Sequence, residues 1–397
     1  MAEWEGERPR EPRARDPLMN LIFVIFVNRV STGTVNDHGH MIAARGDTRP
    51  PTHSSTRLFF QQQEGSRRSG GNENTMSIIA LLAPRVSAAT VFAPRHWERL
   101  SELGAVIDAR FEQQASDVFD RLGEAEAIVS TWGMPAVDDA FLSVAPRLRG
   151  IFYAAGSVKG FVTPALWERG IIVSSAAPMN AVPVAEYTLA VILLANKRFW
   201  TVMQHPRREV PVPGNYRRTV GIIGASMVGR EVLRLLRQTD LDVLLYDPFV
   251  DAADAEAQGA KKVELPELMA ASDVVSLHAP NLPSLRHMIN GELLALMRDG
   301  ATFINTARGA LVDETALLVE LQSGRLYAVL DVTDPEPPAA GSPFYTLPNV
   351  IYTPHIAGSM QGECHRMADF AIDELERCLA GQPLRNAVQA EMMARLA

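Results

Sequence analysis

TVGIIGASMVGREV, running from Thr219 to Val232, changes character twice within 14 residues. Val220, Ile222 and Ile223 form a short apolar, β-branched run of the kind that a parallel strand buried on both faces requires. Gly224 to Gly229 supplies small residues for a turn, and Arg230 to Leu236 continues in a helical pattern. Strand, small-residue turn and helix in that order make a dinucleotide-binding turn. Gly224 permits the tight bend, Gly229 lets helix and strand approach, and the helix N-terminus behind Ser226, Met227 and Val228 offers unpaired N–H groups and a positive dipole end to a pyrophosphate. The usual pattern is G-x-G-x-x-G, and Ser226 stands where the second glycine belongs. A serine fits there if its φ is negative.

Working outward, Leu241 to Tyr246 reads as a second strand ending in Asp247, 18 residues after Gly229. An acid at that tip accepts from both hydroxyls of an adenosine ribose and repels a 2′-phosphate. No Arg or Lys occurs between Asp247 and Lys261 to reverse that preference, so NAD is expected over NADP. The alternative for Asp247-Pro248 is an ordinary strand-ending turn.

At 397 residues the chain is long enough for two domains with sizeable cores. A hydrophobic content of 47% with 21% charge is that of a soluble globular protein. The net charge of −8 argues against nucleic acid or an anionic membrane as the main partner. Cys364 and Cys378 give neither a disulfide framework nor a metal-ligand cluster, so a reducing, cytoplasmic setting and no metal are expected.

Residues 1–75 stand apart. Met1 to Pro17 mixes Arg and Glu, and Thr48 to Thr75 is rich in Pro, Ser, Gln, Gly and Arg, so the segment reads as a disordered or spurious N-terminal extension. LIFVIFV, from Leu21 to Val27, is too short to span a bilayer and poorly flanked for a signal peptide. His38 and His40 lie in the same segment. Met76 is expected to begin the folded protein. From there to about Ala177, strand-like runs at Ile78–Leu82, Ala105–Ile107, Ala127–Val129, Gly150–Tyr153 and Ile171–Val173 alternate with helical patterns, which predicts a first parallel-sheet α/β domain. Val184 to Trp200 reads as one long hinge or interface helix. Six strand candidates between Thr219 and Tyr352 give the doubly wound dinucleotide fold, and Ser359 to Leu379 reads as a helix crossing back to the first domain.

Open parallel sheets bind ligands at the carboxyl ends of their strands, so three late turns carry the chemistry. Ile304 to Gly309 supplies Arg308, Leu330 to Pro337 supplies Asp331 and Glu336, and Tyr352 to Gly358 supplies His355. The planar, permanently charged guanidinium of Arg308 suits a substrate carboxylate and its neighbouring carbonyl oxygen. An imidazole at His355 can give a proton to the oxygen that receives hydride, or take one in reverse. Glu336, bonded to it, would stabilise the imidazolium and fix the ring. Asp331 could hold the nicotinamide carboxamide. His278, with Ala279 and Pro280, follows a strand and touches adenine only through its loop backbone, while His287 reads as structural and Asp334 as a solvated loop acid. Trp132 and Met134 either face the cleft or pack in the core.

VGIIGASMVGR, LLYDP, SDVVSLHAP, RHMIN, GATFINTARGALVDE, AVLDVTDPEP and LPNVIYTPHIAGS together resemble the D-isomer-specific 2-hydroxyacid dehydrogenase family over roughly 310 residues. The resemblance implies Arg308, Glu336 and His355 as catalytic residues, Asp331 against nicotinamide and Asp247 on the ribose. It also implies Thr306, Ala307 and Ala357 at the cofactor, Ala155, Gly156 and Ser157 with Arg308 at the substrate carboxylate, and Asn180 with Val184 to Glu186 at the hinge. The implied architecture is α/β with two doubly wound parallel-sheet domains, a Rossmann NAD-binding domain (184–358) inserted into a flavodoxin-like substrate domain (76–183 plus 359–385). A homodimer is implied as well. Two departures are Ser226 and the short stretch from Arg198 to Thr219, which lacks a glycine–tryptophan element. The reading is an NAD(H)-dependent oxidoreductase of small 2-oxo and D-2-hydroxy acids, similar to glyoxylate or hydroxypyruvate reductases. The alternatives are an NAD-sensing, corepressor-like binding protein and a 3-phosphoglycerate dehydrogenase. A formate dehydrogenase would call for glutamine in place of Glu336.

Overall fold

The computed structural model describes residues 78–204 and 211–394. The expected N-terminal extension, its LIFVIFV run, His38, His40 and the start at Met76 lie outside the described residues.

In the first part of the chain, β1 (Ile78–Pro84), β2 (Ala105–Phe111), β3 (Ala127–Ser130), β4 (Gly150–Tyr153) and β5 (Ile172–Ser175) are joined by helices and run parallel. In the second part, β6 (Thr219–Ile223), β7 (Asp242–Tyr246), β8 (Lys261–Lys262), β9 (Val274–Leu277), β10 (Thr302–Asn305), β11 (Tyr327–Leu330) and β12 (Val350–Tyr352) do the same. A last strand, β13 (Ala387–Val388), pairs antiparallel with β5. The sheets are ordered β13-β5-β4-β3-β1-β2 and β12-β11-β10-β9-β6-β7-β8. The parallel part of the first is the flavodoxin-like order, and the second is the Rossmann order extended by one strand.

Successive strand residues explain why these segments read as continuous apolar runs. Ile79 and Leu81 pack on one face of the first sheet with the helix Cys364–Leu379, whereas Ala80 and Leu82 pack on the other. In the second sheet Ile223, Phe303 and Leu330 face one core, and Val220, Ile222, Ile304 and Val329 face the other. With both faces covered, polar alternation is excluded. The returning helix buries Met367, Phe370, Ala371 and Leu375 at helical spacing, as expected. It also buries Glu374 completely, an acid the sequence did not single out. That carboxylate accepts from the Ser174 hydroxyl (3.0 Å), the backbone N–H of Arg385 (3.0 Å) and Asn386 (3.0 Å), and Arg385 Nε (3.3 Å). These bonds fasten β13, beyond the expected limit at residue 385, onto the sheet.

The long helix differs from expectation. It runs from Ala177 to Asn196, begins with Pro178 in its first turn, where a missing N–H costs nothing, and contains Pro183. It ends because Arg198 adopts a left-handed φ of 51° and its guanidinium donates to Gly300 O; a separate helix, Phe199–Gln204, follows. Among the described residues it is the one helix long and apolar enough to cross a membrane. Its Ala185, Val191, Ile192 and Ala195 instead pack with Val220, Ile222 and the helix Met227–Leu236.

Candidate active site

Strands β10, β11 and β12 are hydrogen-bonded neighbours ending level, with Asn305 opposite Leu330 and Leu330 opposite Tyr352. Their ladder continues into the turns: Asp331 N donates to Asn305 O (3.0 Å), Thr353 N to Leu330 O (2.9 Å) and His355 N to Asp331 O (2.9 Å). Three turns far apart in sequence are thereby held side by side. Within the first, buried Asn305 accepts from Ala307 N (3.0 Å) and donates to Arg308 O (3.0 Å), which fixes the bend that projects Arg308. Gly309 presses against the second turn so closely that a Cβ there would lie 2.0 Å from Thr333 C and 2.4 Å from Asp334 N. Only a residue without a side chain lets the Arg308 and Glu336 turns touch.

His355 Nδ1 lies 2.6 Å from Glu336 Oε1, and the His355 side chain is 49% exposed at the crevice. The backbone of His355 is left-handed, with φ of 54°, an uncommon state for a residue with a side chain. Asp331 supplies the compensating bonds. Its carboxylate, 1% exposed, accepts from Thr353 Oγ1 (2.7 Å) and Ile356 N (2.8 Å) on one oxygen and from Ala357 N (3.0 Å) on the other. Asp331 therefore shapes the histidine turn, a role the sequence reading did not assign. Thr353 in turn meets the Tyr187 hydroxyl at 2.9 Å, and Thr306 meets Thr188 at 3.4 Å, so the helix Ala177–Asn196 braces two of the turns. Glu314 braces the remaining one, accepting from Asp334 N at 2.8 Å, and Arg286 Nη1 pairs with the Asp334 carboxylate at 3.0 Å. Burial pushes the Glu314 carboxyl up to about 7, and Asp334 beside it adds to the rise, against the lowering by the Asp334 N–H.

At the switch point between β6 and β9 the cofactor turn has the expected form. Gly224 has φ of 94°, and a Cβ on it would meet Ala279 N at 2.8 Å, so glycine is required both for the bend and for the passage of the β9 loop. Ser226 has φ of −63° and caps the helix Met227–Leu236, its hydroxyl accepting from Gly229 N at 3.3 Å. The serine thus occupies one of the helix N-terminal donors. The N–H groups of Met227 and Val228 have no acceptor among the described residues and face the site open to an anion. Asp247 is held by Ala225 N (2.7 Å) and Phe249 N (2.8 Å), one to each oxygen, which leaves further lone pairs for ribose hydroxyls. These residues fit a dinucleotide. His278 is buried, bonded to Ser276 Oγ at 2.9 Å, and burial pushes its imidazole down to about 3, so it stays neutral under the sheet. Its neighbour Ala279 is buried and Pro280 half-buried.

Across the crevice, the loop after β4 holds Ala155, Gly156 and Ser157, with Ser175 Oγ donating to Gly156 O at 3.0 Å. Asn180 Oδ1 accepts from Ser359 N at 3.0 Å, and a Cβ on Gly156 or Gly358 would lie beside its amide, so Asn180 ties both crossings between the sheets. Met134 packs in the first core, whereas Trp132 stays exposed on the loop after β3.

Residues 194–357 match the family model described as D-isomer specific 2-hydroxyacid dehydrogenase, NAD binding domain, which makes the second sheet an NAD-binding domain of that kind. The chain is 34% identical over 251 residues to (S)-sulfolactate dehydrogenase of Chromohalobacter salexigens, covering 61% of this chain and 81% of that one. It is 31% identical over 298 residues to D-3-phosphoglycerate dehydrogenase of Archaeoglobus fulgidus, covering 72% of this chain and 55% of the relative. The chain spans about half the length of several curated relatives named D-3-phosphoglycerate dehydrogenase. Among solved structures, a glyoxylate reductase from Paecilomyes thermophila shares 26% identity with a TM-score of 0.65, over 79% of this chain and 99% of that one. With the strand orders, the cofactor turn and the Arg308, Glu336 and His355 turns already in place, these matches show that the chain belongs to the D-isomer-specific 2-hydroxyacid dehydrogenase family.

Proposed function

We propose that the protein is an NAD(H)-dependent oxidoreductase that interconverts a small 2-oxo acid and its D-2-hydroxy acid. The observation that carries this reading is the 2.6 Å His355–Glu336 pair on strands adjoining the Arg308 turn, at the carboxyl end of an NAD-binding sheet. The N–H groups of the Ala155–Ser157 loop and the Arg308 fork hold the substrate carboxylate and align C2. When bound, the cofactor supplies or accepts the hydride. His355 Nε2 gives a proton to the C2 oxygen in reduction and takes it back in oxidation, while Glu336 fixes the ring through Nδ1 and offsets its positive charge. Asp331 keeps the histidine turn in place and has one acceptor position left for a carboxamide. Asp247 favours NAD over NADP.

The relatives named for phosphoglycerate, sulfolactate and glyoxylate differ in what lies beyond C2. Glyoxylate and hydroxypyruvate are the simplest acids that satisfy the set. Residues 76–183 with 359–385 form the substrate domain in this reading, and 184–358 the NAD domain. The enzyme is taken as a cytoplasmic homodimer; exposed Phe199, Met203 and Tyr216 supply apolar surface for the contact. The test is oxidation of NADH with these acids by the wild type and by His355→Ala. Turnover should fall on the order of 100-fold or more in the variant with NADH binding nearly unchanged. Equal turnover in the two proteins would refute the assignment.

A further inference from the structure

The loop after β4 does not end at Ser157. Val158 is buried and anchors a turn through its carbonyl, which accepts from Phe161 N at 3.1 Å. This leaves Lys159 exposed on the lip of the crevice, three residues past Gly156. Its Nζ reaches across to donate to Asn281 O at 3.2 Å, on the loop that follows β9 in the other sheet. An ammonium has three protons, so two remain for a ligand. Lys159 also feels the charge of Arg308: desolvation first, and then the Arg308 charge, lower the Lys159 ammonium below its ordinary value. Among the described residues neither cation has a carboxylate within 4.0 Å, and Arg308 Nη1 donates only to the neighbouring Ala307 O, at 2.6 Å. Two cations bound to neutral carbonyls therefore share one crevice. A single substrate carboxylate offsets one of them.

We propose that Lys159 is a specificity-determining residue that binds a second anionic group on the substrate, a phosphate, sulfonate or carboxylate carried beyond the ketone. The inference rests on the 2-oxo acid reading above. In this arrangement Arg308 and the Ala155–Ser157 loop hold the first carboxylate, and Lys159, kept on the lip by its bond to Asn281, holds the distal anion. Substrates with a neutral tail still turn over, because the Arg308, Glu336 and His355 set does not depend on Lys159.

The test compares three matched pairs with NADH: hydroxypyruvate against its 3-phosphate, pyruvate against 3-sulfopyruvate, and 2-oxobutyrate against oxaloacetate. Wild-type kcat/KM should favour the anionic member of at least one pair by about tenfold or more, as a charge-assisted bond implies, and the preference should shrink with added salt. Lys159→Met should remove about tenfold or more from the anionic member while changing the neutral member by less than about threefold, and Lys159→Arg should retain the preference. The pair that responds identifies the distal group. Wild-type preference for the neutral member in every pair, or an equal loss for both members in Lys159→Met, would overturn the role of Lys159 while leaving the 2-oxo acid reading intact. An absence of turnover with all six acids would overturn both.

Discussion

Asp331→Asn isolates what holds His355, the proposed proton carrier, in position. In the wild type three donors, Thr353 Oγ1, Ile356 N and Ala357 N, converge on a carboxylate that is 1% exposed. The asparagine oxygen can keep the first two, but its amide then points an N–H at the N–H of Ala357. One charge-assisted bond is lost, roughly 1.5–3 kcal/mol, and a buried donor is left unpaired, roughly 1–3 kcal/mol more. Burying a neutral amide in place of a charge recovers part of this, so the net loss is about 3 kcal/mol. At about 1–2 °C per kcal/mol for a chain of this size, Tm should fall by about 3–6 °C. His355 sits on this turn in a left-handed conformation that the same bonds sustain. Relaxation of the turn by about 1 Å should cost turnover about 100-fold at saturating NADH. The assay is thermal unfolding, NADH affinity and turnover measured on one preparation. If Asp331 acted only on the carboxamide, Tm would stay within about 2 °C while NADH affinity dropped, and that pattern would refute the positioning argument.

Ser226→Gly frees the Gly229 N–H for the pyrophosphate; the dissociation constant for NADH should fall by about 3–10-fold with kcat unchanged, and a lowered kcat would contradict the assignment of Ser226 to cofactor affinity alone. Glu314, pushed up to about 7 from its ordinary value of 4.5, makes the folded chain bind more protons than the unfolded one between those values, so its contribution to stability is lost as pH rises through that window and stays lost above it. Glu314→Gln keeps an acceptor for Asp334 N and should gain about 2 kcal/mol on the wild type between pH 5 and pH 8 in urea midpoints; a pH-independent difference would count against the raised carboxyl. Glu374→Ala strands the N–H groups of Arg385 and Asn386 and should cost about 3–5 kcal/mol in urea unfolding, with β13 released; a cost below about 1 kcal/mol would show that the anchor is dispensable.

Much of this was legible in the chain because it is local or periodic. Strands buried on both faces announce themselves as apolar β-branched runs, and Gly224, Asp247, Arg308, Glu336 and His355 sit at the strand ends where a doubly wound sheet gathers ligands. What escaped was non-local. Glu374 resembles any charged position on an amphipathic helix, and its burial depends on Ser174, some 200 residues away. Lys159 reads as a solvated lysine until Asn281, more than a hundred residues on, is placed against it. The strands β8 and β13 are two residues long and carry no period. The sequence and its family resemblance put Asp331 at the nicotinamide carboxamide; the structure adds a histidine turn that absorbs three of its acceptor positions.

The network also determines which parts of the site can move against each other. Arg308, Glu336 and His355 are joined by the extended ladder, by the Gly309 contact and by Asp331, all within one sheet and its turns. Tyr187 and Thr188 tie two of these turns to the helix Ala177–Asn196, which packs on the same sheet. Arg308, Glu336 and His355 therefore behave as one body. The Ala155–Ser157 loop and Lys159 belong to the other sheet and meet that body through Asn180 at the crossings and Lys159–Asn281 at the lip. Any opening of the crevice must break the exposed Lys159–Asn281 bond, worth about 1 kcal/mol or less at such a site, and leaves the Glu336–His355 pair intact. In the function proposed above, the three groups that act at C2 are preassembled whether the Lys159–Asn281 bond is made or broken.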